Sequence, residues 1–97
     1  MLTNRQLFLQ HLAQTSNFPM GLEVKKAQGV MMYGENGKNY IDIISGIGVS
    51  NIGHRHPKVI EAIKKQLDSY MHLMVYGEFV QSPQVKLATK ILSLIHI

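Results

Sequence analysis

A chain of 97 residues and 11.0 kDa has room for one small domain and not for two. With 45% hydrophobic and 16% charged residues it has the make-up of a globular chain, which excludes wholesale disorder. Cysteine is absent, so there is no disulfide framework, thiolate metal site or cysteine nucleophile, and a reducing, cytoplasmic setting is expected. Met1-Leu2-Thr3-Asn4-Arg5 does not lead into a long apolar run, and no later run could span a bilayer, so no membrane partner is expected. Ten Lys and Arg face six Asp and Glu, and the excess of +4 is split evenly on either side of Gly34. No basic stretch is interleaved with aromatic residues, so no nucleic-acid partner is expected either.

Thr3-Asn4-Arg5-Gln6 has the spacing of a capping box, with Thr3 at the N-cap and Gln6 three residues on. Leu7, Phe8, His11 and Leu12 share one stripe, which predicts an amphipathic helix over 4–14, stopped by the polar stretch before Pro19. The period then changes. Residues 22–27 and 30–33 read as strands joined at Gln28-Gly29, and Asn36-Gly37 supplies the positive φ that a type I′ hairpin turn requires. A third strand over 39–44 would place Tyr40, Asp42 and Ile44 on one face and Ile41 and Ile43 on the other. The expectation over 22–44 is a three-stranded antiparallel meander.

Residues 45–56 form a connection rich in glycine and histidine, ending at His54-Arg55-His56-Pro57. Pro57 suits the first position of a helix. Val59, Ile60, Ile63, Leu67, Tyr70 and Met71 recur at helical spacing, predicting a helix over 57–70. Ser82-Pro83 opens another, over 83–97, whose stripe includes Val85, Ala88, Ile91, Leu92 and Ile95. This last helix has no Gly or Asn cap and no Pro stop. Its apolar face exceeds what a meander and two short helices can cover. The expectation is that the chain stops mid-fold and that its final few residues need not be the native continuation.

The residues offer three chemical readings. Gly46, Gly48 and Gly53 lie between a strand and a helix, yet a dinucleotide fingerprint would need glycine at Asn51, and a Walker loop would end in Gly-Lys-Ser/Thr. Backbone freedom or close packing explains these glycines as well. His54-x-His56 could supply two metal ligands, with His72 as a third if the fold brought it near. Without cysteine or an adjacent carboxylate pair, shaping the entry to the helix at Pro57 is the simpler role, and no metal is assigned. Asp42, Ser45, Ser50 and His54 are near one another in sequence, but no Gly-x-Ser-x-Gly elbow occurs. The methionines, Met31, Met32, Met71 and Met74 among them, suit core filling. Composition and spacing alone thus reach a small mixed α/β chain with no assembled catalytic group.

An ordered series of motifs adds to this. Gly29-Val30 runs through Gly34-Glu35-Asn36-Gly37-Lys38-Asn39-Tyr40-Ile41-Asp42, followed by Ser45-Gly46-Ile47-Gly48-Val49 and Gly53-His54-x-His56-Pro57. Ala62-Ile63-x-x-Gln66-Leu67 and Ser82-Pro83-Gln84-Val85-x-Leu87-Ala88 complete it. This series, about two-thirds of the chain, resembles the N-terminal segment of a class III pyridoxal-phosphate-dependent aminotransferase, the group of the ornithine, acetylornithine and 4-aminobutyrate aminotransferases.

The resemblance implies an α+β portion of the small domain of a fold-type I enzyme: an N-terminal helix, the three-stranded antiparallel meander and two following helices. It implies a homodimer that transfers an amino group from a small amino donor to a 2-oxo acid with pyridoxal 5′-phosphate. The family's phosphate loop, ring-stacking aromatic, pyridine-binding Asp and Schiff-base Lys all lie later in the chain, so no catalytic or cofactor-binding residue carries over. What carries over is a substrate-pocket wall, Ile47 and Gly48, with Phe79 from the 76–80 region. Ile47 occupies the position that varies with substrate, and an Ile where ornithine-type members use Tyr argues against an ornithine-specific pocket. Simple packing of Ile47 is the competing reading, and His54 and Pro57 are read as structural. The alternative in another class is a self-standing, non-enzymatic interaction module descended from the family, which would unfold cooperatively by itself.

Overall fold

The computed structural model describes residues Met1–Ile95. The chain divides into two compact units, Met1–Glu61 and Ala62–Ile97. In the first unit, helix α1 spans Asn4–His11 and opens on a complete capping box: the Gln6 N–H donates to Thr3 Oγ1, and the Thr3 N–H donates to Gln6 Oε1. The helix ends at His11, short of residue 14. The Gln14 side-chain amide donates to the Phe8 carbonyl at 2.9 Å, so a side chain serves a helix-terminal acceptor and Leu12 turns to extended φ/ψ.

Three strands follow, β1 (Val24–Gln28), β2 (Met31–Gly34) and β3 (Asn39–Ile41), in an antiparallel sheet of order β1-β2-β3. Met32 lies opposite both Ala27 and Tyr40, which fixes the register, and a bulge interrupts β1 between Val24 and Lys26. At the β2–β3 turn Gly37 takes φ +77°, where glycine carries no Cβ penalty, but Asn36 has no positive φ, so the turn is not the expected type I′. The Gly37 N–H donates to the Gly34 carbonyl and the Gly34 N–H to the Lys38 carbonyl, closing a longer loop. Gly34 is buried at the foot of that turn, where a Cβ would stand 3.0 Å from both Asn36 Oδ1 and the Lys38 carbonyl oxygen.

The third strand ends at Ile41, three residues before the end of the pattern that alternates to residue 44. The cause is Asp42. Its carboxylate accepts the N–H groups of Ile44 and Ser45, giving the backbone a local partner in place of a ladder bond. A helical turn, α2 (Ser45–Gly48), then stands inside what the sequence reads as an open connection.

Helix α3 (Pro57–Leu67) starts in the first unit and ends in the second. The His56 carbonyl accepts from Val59 and Ile60, so Pro57 sits where its missing N–H matters least. The helix stops three residues short of 70, because Ser69 tightens to the Gln66 carbonyl and the Gln66 amide closes on the Tyr70 carbonyl at 3.0 Å. In the second unit, α4 (Ser82–Ile95) begins one residue before Pro83, with Gln81 ahead of it. Gln81 is 6% exposed and its amide donates to the Met74 carbonyl at 2.8 Å, which ties down the 74–81 loop. Residues 96 and 97 of the expected last helix lie outside the described residues.

No hydrophobic side chain among the described residues is buried. The apolar stripe of α3 shows it: Val59, Ile63 and Leu67 are each 43–51% exposed although their spacing is that of a core face. Hydrogen bonds and the sheet define local conformation, but among the described residues the burial that stabilises a domain is missing. The isolated chain is therefore expected to take up an apolar dye, show a weak near-ultraviolet circular dichroism signal and melt without a cooperative transition. A sharp melt with no dye uptake would contradict this and would suit the self-standing module.

Candidate functional site

The residues between β3 and α3 fold back onto the sheet at two points. One is a backbone bridge: the Gly29 N–H donates to the His54 carbonyl at 2.9 Å, and the His54 N–H to the Gly29 carbonyl at 2.7 Å. Gly53 permits it. At φ +83°, a Cβ there would lie 3.1 Å from the Gly29 oxygen and 3.2 Å from its Cα, against backbone that has no room to give. Arg55, itself at φ +55°, donates from Nη1 to Gln28 Oε1 at 2.9 Å and extends the contact along β1.

The second point is the Asp42–His54 pair. His54 Nε2 donates to Asp42 Oδ2 at 2.6 Å, while Asp42 Oδ1 accepts from Ser45 at 2.9 Å and from Ile44 at 3.1 Å. The Asp42 side chain is only 8% exposed and that of His54 24%. The Ser45 N–H, first among the causes, and then His54 hold the Asp42 carboxyl below the ordinary aspartate range, against the opposing effect of burial.

Between these anchors the chain does something costly. Ser45, Gly46, Ile47 and Gly48 take φ of 54°, 59°, 62° and 77°, a continuous left-handed turn. Glycine bears this freely; Ser45 and Ile47 do not, and left-handed backbone costs about 1–2 kcal/mol for each such residue. For a β-branched residue a positive φ is a true outlier. The turn closes on itself, with Gly48 donating to the Ile44 carbonyl and Val49 and Ser50 to that of Ser45. Its product is an apolar side chain held outward: Ile47 is 92% exposed. Strain of this kind persists where the surroundings over-determine it, and it concentrates at ligand-binding positions.

Ile47 and Gly48 thus share one turn. Phe79 lies in the second unit, 52% exposed, three residues after Tyr76, which is 89% exposed and has a φ of 66°. Asp42 and His54, close in sequence to two serines, are indeed joined, but Ser45 meets Asp42 through its backbone N–H, and no hydroxyl is hydrogen-bonded to His54 among the described residues. The hydrolytic constellation does not assemble. Nor does a metal centre among the described residues, where no three potential ligands come together. Nε2 of His54 serves Asp42, and Nδ1 of His56 is buried without a partner. An open cleft of about 520 Å³ lies elsewhere in the first unit, lined by Asn4, Arg5, Phe8, Phe18, Glu23 and Glu35 among others. Its one cation is occupied, since Arg5 Nη2 donates to the Gly21 carbonyl and reaches Glu23 at 3.4 Å.

The sequence from Leu12 to His96 matches the family model of the class-III aminotransferases. The chain belongs to that family. It is 49% identical over 70 residues to the acetylornithine aminotransferase of Bacillus subtilis, covering 72% of this chain and 18% of the relative. It is 45% identical over 69 residues to that of Methanocaldococcus jannaschii, covering 71% and 17%. Among solved structures, acetylornithine aminotransferase from Elizabethkingia anophelis superposes with a TM-score of 0.79 at 28% identity, over 95% of this chain and 23% of that one. A taurine:2-oxoglutarate aminotransferase from Bifidobacterium kashiwanohense, solved with PLP and glutamate, gives 0.79 at 27% identity, over 96% and 22%. The chain therefore spans less than a third of the length of these class III relatives.

The family uses pyridoxal phosphate, and the residues present do not form a place for it. All the lysines are exposed, and the carboxylate of Asp42, the one acid of the chain that is not exposed, is already taken by His54 and two backbone amides.

Two outcomes follow from this geometry, both to be read in a polypeptide of the relatives' length that carries the segment. Gly53→Ala, which adds a backbone clash to a positive φ, is expected to speed amide exchange at Gly29 and His54 by more than about tenfold, some 1.4 kcal/mol of opening free energy. Gly48→Ala, with φ +77° and nothing within 4 Å, should leave those two amides unchanged. Secondly, a carboxyl with a lowered folded-state pKa contributes stability above its unfolded value, and that contribution disappears as pH falls through the lowered value. The Asp42 carboxyl is expected to titrate by NMR below the usual value of about 3.9. In His54→Ala it should rise only part of the way back, because the Ser45 N–H remains.

Proposed function

We propose that this chain forms the substrate-side wall of a class III aminotransferase that moves an amino group from a small amino donor to a 2-oxo acid. The family match over residues 12–96 carries the reading, and the outward left-handed turn at Ile47 and Gly48 supports it. When bound in the complete enzyme, pyridoxal 5′-phosphate would supply the electron sink that amino-group transfer needs, and residues outside this chain would hold it. Within the chain, Ile47 packs against the donor's carbon chain and keeps water from it, and Gly48 lets the backbone approach closely; Phe79, taken by itself in the second unit, is a further residue offered to the donor. The apolar surfaces left open here suit a homodimer in which the remaining polypeptide and a second copy cover them. A cytoplasmic setting agrees with the absence of cysteine from the chain and of any described helix long and apolar enough to cross a membrane.

The exposed Ile47 offers no hydrogen bond to a free α-amino group, so an acylated donor is preferred over ornithine. The acetylornithine aminotransferases among the relatives support this choice. The test uses the complete enzyme with acetylornithine, ornithine and 4-aminobutyrate as donors. Acetylornithine should have the highest kcat/KM, and Ile47→Tyr should shift the acetylornithine-to-ornithine ratio towards ornithine by about tenfold, the value of one good polar contact. In parallel, borohydride should fix the cofactor to one lysine of the complete enzyme and to no single lysine of the 97-residue chain. A stoichiometric adduct on the short chain, or an enzyme indifferent to every amino donor, would overturn the proposal.

A further inference from the structure

Asp42 and His54 have no part in the pocket wall as described, yet both are fixed where that wall begins and ends. Resting on the reading of Ile47 as a substrate contact, we propose that the Asp42–His54 pair is a positioning clamp: it holds the 45–48 turn in its left-handed form and so sets how Ile47 meets the amino donor.

Three observations combine in this inference. First, one carboxylate serves both sides. Oδ1 accepts the two N–H groups that open the turn, those of Ile44 and Ser45, and Oδ2 receives Nε2 of His54 from the far side of the loop. Second, His54 is held in place, because its own backbone is bridged in both directions to Gly29 in the β1–β2 turn. The clamp thus refers the turn to the β1–β2 turn at Gly29, while Asp42 N–H donates to the Val30 carbonyl at 2.8 Å and refers it to the start of β2. Third, the turn needs holding. Ser45 and Ile47 both have left-handed backbone, and Ile47 is 92% exposed, so no packing of its own side chain keeps it there. Without the clamp, ordinary right-handed or extended backbone is open to both residues, and Ile47 would swing away from its outward position.

A clamp of this kind acts on binding, not on the reacting atoms. Relaxing the turn moves an apolar contact that the donor makes alike in the ground state and the transition state, so KM rises and kcat is spared. The two residues also act as one device, which makes their losses non-additive. Asp42→Asn keeps an amide oxygen that can accept from Ile44 and Ser45, and its NH2 can donate to His54 Nε2 once the neutral imidazole carries its proton on Nδ1, so the conservative variant retains most of the geometry.

The experiment uses the complete enzyme with its cofactor, the donor of highest kcat/KM, and the variants Asp42→Ala, Asp42→Asn, His54→Ala, the double alanine variant and Ile47→Ala. Expected are a donor KM about tenfold or more higher in both single alanine variants, kcat within about twofold, and a double variant no worse than the single ones. Asp42→Asn should recover most of the affinity. Amide exchange should quicken at Ile44 to Ser50 in the alanine variants while the Met32 and Tyr40 ladder stays protected. If Ile47→Ala raises KM and the clamp variants do not, the clamp is wrong and the wall stands. If Ile47→Ala also leaves KM unchanged, the wall reading falls and takes the clamp with it. Loss of kcat together with ladder protection would make Asp42 and His54 general supports of the sheet and overturn the proposal.

Discussion

The carboxylate of Asp42 is the constraint on which the geometry of the first unit's 42–54 loop depends. A single side chain ends β3, opens the left-handed turn and draws in His54, and it can do all three because a carboxylate accepts at both oxygens. Charge-assisted hydrogen bonds to an ionised, little-exposed acid are stronger than neutral ones, and the lowered pKa of Asp42 reports that these partners favour the charged form. The backbone bridge between Gly29 and His54 then converts this local network into a loop fixed on the sheet.

The rest of the chain lacks comparable stabilisation. Its helices are amphipathic and its strands correctly paired, yet their apolar faces lie open, and in a folded protein such faces supply most of the favourable free energy. Local order and global stability have therefore separated. Capping at Thr3, the turn at Gly37 and the helix start at Pro57 specify conformation over a few residues at a time. They do not replace the burial that a polypeptide of the relatives' length provides. The balance also explains why a family match and a high structural similarity coexist with open apolar faces: short-range signals preserve local conformation without the burial that the rest of a longer polypeptide provides.

What the sequence made legible divides along the same line. The capping box, the Asn36-Gly37 hairpin and Pro57 at a helix start are short-range signals, each with one physical cause within four residues, and each element they mark is present. The ordered motifs from Gly29 to Ala88 identified the family because they combine many weak signals at fixed spacing. The left-handed turn was not legible. Ser-Gly-Ile-Gly reads as flexible connection, and only Asp42 reaching forward to Ser45 and across to His54 makes it a defined turn. In sequence Asp42 and His54 group only in a hydrolytic set that lacks a nucleophile elbow, and His54 reads as structural. Their hydrogen bond to each other was not legible, because proximity in sequence does not reveal which group a histidine nitrogen meets. The ends of α1 and α3 escaped for a similar reason. Gln14 and Gln66 terminate their helices by folding side chains onto backbone carbonyls, which the hydrophobic period does not encode.

On the proposed reading of Ile47 as a donor contact, substrate choice belongs to backbone conformation as much as to side-chain identity. Exchanging Ile47 for another residue would then alter what the proposed wall offers a donor, while the same residue on relaxed backbone would offer it somewhere else. Glycine on either side of position 47 is what makes the exchange possible. Gly46 and Gly48 bear the left-handed conformation without a Cβ, so only the presented residue and Ser45 are strained, and the clamp has little enough to oppose that many side chains could stand at 47. A turn built in this way keeps its shape while its one outward side chain varies. That separation of a fixed scaffold from a variable contact is how one fold can serve donors of different chemistry.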